Sequence, residues 1–181
     1  MSKLAENFNF KYIKTYDISE ISKIVSANEE AWFYEEPVDG VYSKYYPVFE
    51  SSIYWNPDSE PFSVTKESDN DELISLLLPI VKELEQIHDG IHGEVLITKL
   101  RAGSRIPSHI DNGKYLSKIR RHHIPIITAD EVSFLVGSEP INMKYGECWE
   151  INNNRPHSVY NKSNKDRIHL IIDIMPNKEL E

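Results

Sequence analysis

Residues 94–176 read EVLITKLRAGSRIPSHIDNGKYLSKIRRHHIPIITADEVSFLVGSEPINMKYGECWEINNNRPHSVYNKSNKDRIHLIIDIMP. Short apolar, β-branched runs recur along this stretch, and turn-forming residues cut between them. Residues 95–101 make the first predicted strand, 107–111 the second and 119–128 the third. Residues 132–136 and 141–145 read as a hairpin across Gly137-Ser138-Glu139-Pro140, and 148–151, 158–161 and 168–175 complete the set. About eight short strands thus follow one another with no helix between them. That is a mainly β fold with flanking helices, a jelly roll whose closure removes exposed strand edges. Alternate residues of such a barrel face a central pocket.

The chain before residue 93 reads as an N-terminal α/β extension with a supporting helix, so that residues 1–181 form one domain with its barrel core at 93–176. Residues 8–16 alternate well enough for an edge strand. Asp17-Ile18-Ser19-Glu20 then signals a helix start, with Ile18, Ile21, Ile24 and Val25 on one face. Residues 32–55 are dense in aromatics, among them Trp32, Tyr45, Phe49 and Trp55, and are interrupted by Pro37, Gly40 and Pro47. They read as loops and short strands that either form a lid over a pocket or pack the extension against the barrel. Asp69 with Glu72 caps a long helix to about His88, whose stripe is Leu73, Leu76, Leu77, Ile80, Val81, Leu84 and Ile87. Pro79 is expected to kink or split it. His88 and His92 flank the turn Asp89-Gly90 and read as exposed rather than as ligands.

Composition narrows the function. A length of 181 residues suffices for a real core. The formal net charge of -9 argues against nucleic acid as the main partner, since phosphate backbones are bound through Lys/Arg clusters. The one cysteine, Cys148, excludes an intrachain disulfide and reads as a buried strand residue rather than a nucleophile. No apolar run reaches membrane-spanning length, and residues 1–7 lack the apolar core of a signal peptide, so a cytoplasmic setting is expected.

The chemistry concentrates in four residues. His109 and Asp111 are two apart on an extended run, so imidazole and carboxylate can converge. His157 arrives after the run Asn152-Asn153-Asn154-Arg155-Pro156. Two histidines and one carboxylate are the facial set that holds non-haem Fe(II) with open positions. The competing reading is a hydrogen-bonded polar core without metal. Arg167 opens the apolar strand Ile168-His169-Leu170-Ile171-Ile172-Asp173 and offers a fork for a carboxylate; otherwise it forms a surface ion pair with Asp166.

The runs Gly103–His109, Arg121–Pro125, Gly146–Asn153 and His157–Leu170 together resemble the Fe(II)- and 2-oxoglutarate-dependent oxygenases, in particular the aspartyl/asparaginyl β-hydroxylase family. The resemblance implies a double-stranded β-helix with Fe(II) on His109, Asp111 and His157. It implies 2-oxoglutarate as co-substrate, its distal carboxylate held by Arg167 and Thr98, with Arg121 and His123 near its 2-oxo acid end. Thr98 also reads as an ordinary strand residue. His122, of opposite parity to His123, is expected to face out or pack, a register that a one-residue slip would reverse. Well-studied animal members lack the carboxylate ligand, whereas small bacterial amino-acid hydroxylases keep His-x-Asp as this chain does. The implied reaction hydroxylates an amino acid, or an Asp/Asn/Pro-type residue of a peptide or protein, with O2, releasing succinate and CO2. The alternatives are a catalytically silent cupin-like barrel that binds a metal or small ligand, and a β-sandwich interaction module. His169 and Asp173 share the parity of Arg167, as ligand-orienting partners or as a satisfied pair. Arg155 could reach a substrate carboxylate.

Overall fold

The structure is a computed structural model that describes residues 6–27, 33–34, 43–52, 63–65 and 71–180. In chain order the elements are β1 (Phe10–Thr15), α1 (Ser19–Ala27), β2 (Phe33–Tyr34), β3 (Ser43–Ser52), β4 (Ser63–Thr65), α2 (Asp71–His88), β5 (Gly90–Leu100), β6 (Arg105–His109) and β7 (Arg120–Ile127). β8 (Val132–Val136), β9 (Glu139–Ile141), β10 (Glu147–Ile151), β11 (His157–Asn161) and β12 (Arg167–Pro176) follow, with a 3-10 turn over Asn177–Glu179. An eight-stranded sheet runs β1-β10-β7-β12-β5-β3-β2, with β4 on β3, and a four-stranded sheet runs β6-β11-β8-β9; the pairings are antiparallel. This is the expected mainly β architecture with two helices.

β12 is the middle of the large sheet and is buried along its whole length. Its alternation explains the layering. Ile168, Leu170, Ile172 and Ile174 face the helices, in one core with Leu73, Leu77, Val81 and Leu84 of α2 and Ile21 and Val25 of α1. The intervening Arg167, His169, Ile171 and Asp173 lie on the other face. β7 repeats the pattern, with Ile124 and Ile126 in the helix-side core, and so does β5 with Val95 and Ile97. Between the sheets a second core gathers Leu100, Phe134, Val136, Ile151 and Val159.

Residues 8–16 supply the expected edge strand, β1, on β10. Its end is fastened where Tyr16 N–H donates to the Gly146 carbonyl at 2.9 Å. Gly146 has φ +75°, and a Cβ there would lie 2.5 Å from the Tyr16 carbonyl oxygen, so only glycine fits that turn. α1 starts as expected, with Asp17 Oδ1 accepting from Ser19 N–H at 3.1 Å.

Four expectations are corrected. α2 is not split: it runs unbroken through Pro79, which sits on the exposed face, where water can serve the carbonyl that loses its donor. The hairpin partner of β8 is Glu139–Ile141 rather than 141–145, because the chain turns immediately after Val136 at Gly137, φ +61°. The second barrel strand ends at His109, before Asp111. His88 and His92 are half-buried rather than exposed, since the turn after α2 folds them back; His92 Nδ1 lies 2.6 Å from Glu85 Oε1. The Asp69 cap and the side chains of residues 32–55, hence the lid, lie outside the described residues. The backbone of β3 joins the large sheet beside β5.

Candidate active site

His109 ends β6, His157 opens β11, and the two are cross-strand partners. Their ring centroids stand 4.2 Å apart. Asp111 comes back by a turn: its N–H donates to the Asn153 carbonyl at 3.2 Å. Its Oδ1 then lies 3.5 Å from His109 Nε2 and 3.6 Å from His157 Nε2. Each imidazole places Nδ1 on a backbone carbonyl, Pro107 at 2.9 Å and Arg155 at 3.0 Å. A carbonyl only accepts, so Nδ1 carries the proton and Nε2 offers a lone pair. That wiring orients metal-ligating histidines. One ligand atom from each of the three lies within 4.8 Å of the others, and the set could hold a metal ion.

The electrostatics suit a cation. Burial works to raise the Asp111 carboxyl, but the His109 hydrogen bond and the Arg121 charge outweigh it and hold it far below the ordinary carboxylate range. Burial lowers His157 and keeps it neutral, ready to ligate. The Asp111 hydrogen bond raises His109 above its ordinary value, against the pull of burial.

Arg167, 2 % exposed, opens β12 and faces the same cavity. Its Nη2 donates to His169 Nδ1 at 2.7 Å, and its guanidinium carbon lies 5.8 Å from the Phe134 ring centroid. Among the described residues no carboxylate pairs with it. Burial alone therefore acts on the group and brings it down to about 9, still protonated at neutral pH. Among the described residues, Thr98 Oγ1, His123 Nδ1, Arg167 Nε and His169 Nε2 are all buried without a hydrogen-bond partner. Buried polar atoms nearly always have one. Four such atoms on neighbouring side chains, beside a bare cation, mark a place for an oxygen-rich anion. Thr98, His123 and Arg167 line a cavity of about 130 Å³ together with His109, Asp111 and His157. That volume suits a small dicarboxylate chelating a metal on the trio.

Arg121 and His123 share the inner face and line the cavity. Burial and the Arg167 charge push His123 well below its ordinary value, so it stays neutral. Arg121 is engaged: Nε and Nη2 grip Asp173 at 2.8 and 2.7 Å, and Nη1 donates to Asp111 Oδ2 at 2.8 Å. His122 packs on the opposite face, fully buried. His169 thus stands behind Arg167, and Asp173 behind Arg121. Arg155 donates to Asn9 Oδ1 at 2.8 Å and Asn7 Oδ1 at 3.3 Å and is not among the cavity-lining residues. Cys148 is buried and free.

Two further residues matter. Phe134 stacks near-parallel to His157, centroids 6.4 Å apart, and meets His123 edge-on at 5.0 Å. The alternation of Val132, Phe134 and Val136 in β8 marks it as inward-facing. Tyr115 donates to Asp173 Oδ2 at 3.3 Å and accepts from Glu94 N–H at 2.9 Å. It lies in an aperiodic loop, where no pattern announces it.

Solved structures share this fold across nearly the whole chain. An oxidoreductase of the 2OG-Fe(II) oxygenase family from Burkholderia pseudomallei aligns at TM-score 0.65 and 14 % identity, covering 92 % of this chain and 85 % of its own. HygX from Streptomyces hygroscopicus, solved with nickel, 2-oxoglutarate and hygromycin B, aligns at TM-score 0.60 and 12 % identity, covering 93 % and 83 %. The collagen prolyl hydroxylase of Paramecium bursaria Chlorella virus 1, in complex with 2OG, aligns at 0.59 and 10 %, covering 93 % and 96 %. At such identities the likeness is one of fold. Comparison with curated proteins finds no match. The family model for aspartyl/asparaginyl β-hydroxylase matches residues 42–176. The chain belongs to that family, whose enzymes are hydroxylases that use Fe(II) and 2-oxoglutarate.

Proposed function

We propose that this chain is an Fe(II)- and 2-oxoglutarate-dependent dioxygenase that hydroxylates an amino acid, free or as an Asp/Asn/Pro-type residue of a peptide or protein. The observation that carries this is Arg167. It is a buried guanidinium with no anionic partner among the described residues, in the same cavity as the His109, Asp111 and His157 trio. A cation left so costs several kcal/mol unless a ligand supplies the charge. A cupin-like binding barrel has no need of it.

In this reading His109, Asp111 and His157 hold Fe(II), and Arg167 with Thr98 receives the distal carboxylate of 2-oxoglutarate. His123 borders the 2-oxo acid end as a neutral imidazole, and Arg121 stands there bound to Asp111. When bound, the two groups supply oxidative decarboxylation to succinate and CO2, coupled to insertion of one oxygen atom of O2 into a substrate C–H bond. The protein's share is to orient, and to keep the cavity dry with Phe134, Ile106, Val159 and Ile171. The same reading takes residues 1–181 as one oxygenase domain working in the cytoplasm, where its lone thiol stays reduced.

The test is a panel of free amino acids and of short Asp-, Asn- and Pro-containing peptides, assayed for succinate release and a product heavier by one oxygen. Turnover with at least one member, lost in Arg167→Ala, is expected. Succinate release that no member of the panel stimulates over the variant would contradict the substrate class.

A further inference from the structure

Strand β7 carries polar side chains on both of its faces. Arg121 and His123 point into the cavity, while His122 between them points to the outer face, beneath the end of α2. Glu150 on β10 is the direct cross-strand partner of His122, so their side chains share that face. His88, the last residue of α2, completes a group of three, and one ligand atom from each lies within 4.8 Å of the others. His122 is 0 % exposed and Glu150 1 %. The surrounding face carries the Leu/Ile core under α2, with Arg120 beside Glu150. Two imidazoles and a carboxylate converging at one point of such a face are a ligand set of the kind that holds a divalent metal.

The local wiring repeats that of the cavity histidines. His122 Nδ1 sits 3.1 Å from the Ile172 carbonyl, so it carries the proton and Nε2 presents a lone pair. That lone pair faces His88 Nε2 at 2.9 Å, with ring centroids 4.8 Å apart. Glu150 is held by Arg120, whose Nη1 donates to Oε1 at 3.1 Å, and the same guanidinium also holds Glu6. The carboxylate is thus anchored as a metal-ligating one would be.

We infer that His88, His122 and Glu150 form a second metal site, separate from the cavity, that takes Zn(II) and clamps the end of α2 to the sheet. Two nitrogens and one oxygen suit Zn(II) in tetrahedral geometry with water as fourth ligand. Half-buried His88 gives solvent its access. Tetrahedral bonds of about 2.0–2.2 Å space the ligand atoms roughly 3.3 Å apart. Opening the His88–His122 contact by a few tenths of an ångström, within reach of a residue at a helix end, achieves that.

The experiment uses full-length protein stripped of metal, reloaded with Co(II) and desalted. Wild type is expected to keep two equivalents, and His88→Gln one. The double variant His109→Ala/His157→Ala is expected to keep one, with the strong visible absorption of tetrahedral Co(II). Zn(II) should also raise the Tm of that double variant, and not of the same protein carrying His88→Gln. A Co(II) stoichiometry that His88→Gln leaves unchanged overturns the inference. So does a double variant that melts cooperatively yet binds no metal. Should the double variant fail to fold, the comparison of wild type with His88→Gln decides alone. Wild type binding a single equivalent that His88→Gln abolishes would uphold this site and count against the cavity trio.

Discussion

Asp111 accepts a 2.8 Å hydrogen bond from Arg121 on Oδ2, which leaves Oδ1 as the oxygen nearest both His109 and His157. The carboxylate is thereby set for one-oxygen ligation. Arg121 is itself fixed by the two oxygens of fully buried Asp173, and Asp173 by Tyr115. The chain Tyr115–Asp173–Arg121–Asp111 fixes the carboxylate of a candidate ligand that stands beyond the end of β6.

Asp173→Asn is therefore expected to weaken Co(II) or Fe(II) binding by about 10–100-fold, the usual effect of losing a partner behind a ligand. It should also cost stability, roughly 3 kcal/mol, because Arg121 loses its main counter-charge. Metal titration and urea unfolding of the same sample separate the two. Wild-type metal affinity in the variant would show that Asp173 serves the fold alone.

Arg167→Ala should weaken 2-oxoglutarate by roughly 1.5–3 kcal/mol, the range for a charge-assisted contact. That corresponds to about ten- to more than a hundredfold in Kd. Arg167→Lys keeps the charge but loses the planar fork and should fall between the two. Calorimetric titration of the metal-loaded variants checks the order, and equal affinity in all three would move the carboxylate clamp off Arg167.

Burial, with help from Glu150 and Glu83, pushes the Cys148 thiol up to about 12. An unfolded thiol ionises near 8.5. The stability this group contributes is complete below about pH 8.5 and declines above it, by up to ~1.4 kcal/mol per pH unit, until the folded thiol ionises as well. At pH 8.5 native protein should resist an aromatic disulfide reagent and denatured protein should react at once. Rapid modification of the native state would place Cys148 at an accessible surface.

Leu77 is fully buried and Leu78, its neighbour on α2, is 39 % exposed. Leu77→Ala should cost about 2–5 kcal/mol through lost burial and the cavity left behind. Leu78→Ala should cost well under half as much. Denaturant unfolding of both gives the contrast; comparable losses would mean that α2 packs on a different face.

Much of this was legible in the sequence because period-2 alternation carries both layers. In β12 the even positions read as core, and the odd ones, His169 and Asp173, share the parity of Arg167; in β7 the sequence separates His122 from His123 by parity, and the pairing with β10 and β12 fixes the register that puts His123 inward. The trio was readable from residue type, although Asp111 converges through a turn, and turns follow no period. What the sequence withheld is pairwise. Arg121 reads as a co-substrate contact by position, but its bonds go to Asp173, 52 residues away, and to Asp111. His88 beside a turn reads as solvent-exposed, and only the docking of α2 on the sheet sets it against His122. Contacts between elements distant in sequence leave no local pattern.

The most direct test of the oxygenase centre is an anaerobic titration of Fe(II)-loaded protein with 2-oxoglutarate, following the visible charge-transfer absorption of the chelate. A saturable band that His157→Ala abolishes and Arg167→Ala shifts to higher 2-oxoglutarate is the expected result. Iron bound by wild type with no band at any 2-oxoglutarate concentration would contradict it, and so would a band that survives intact in His157→Ala.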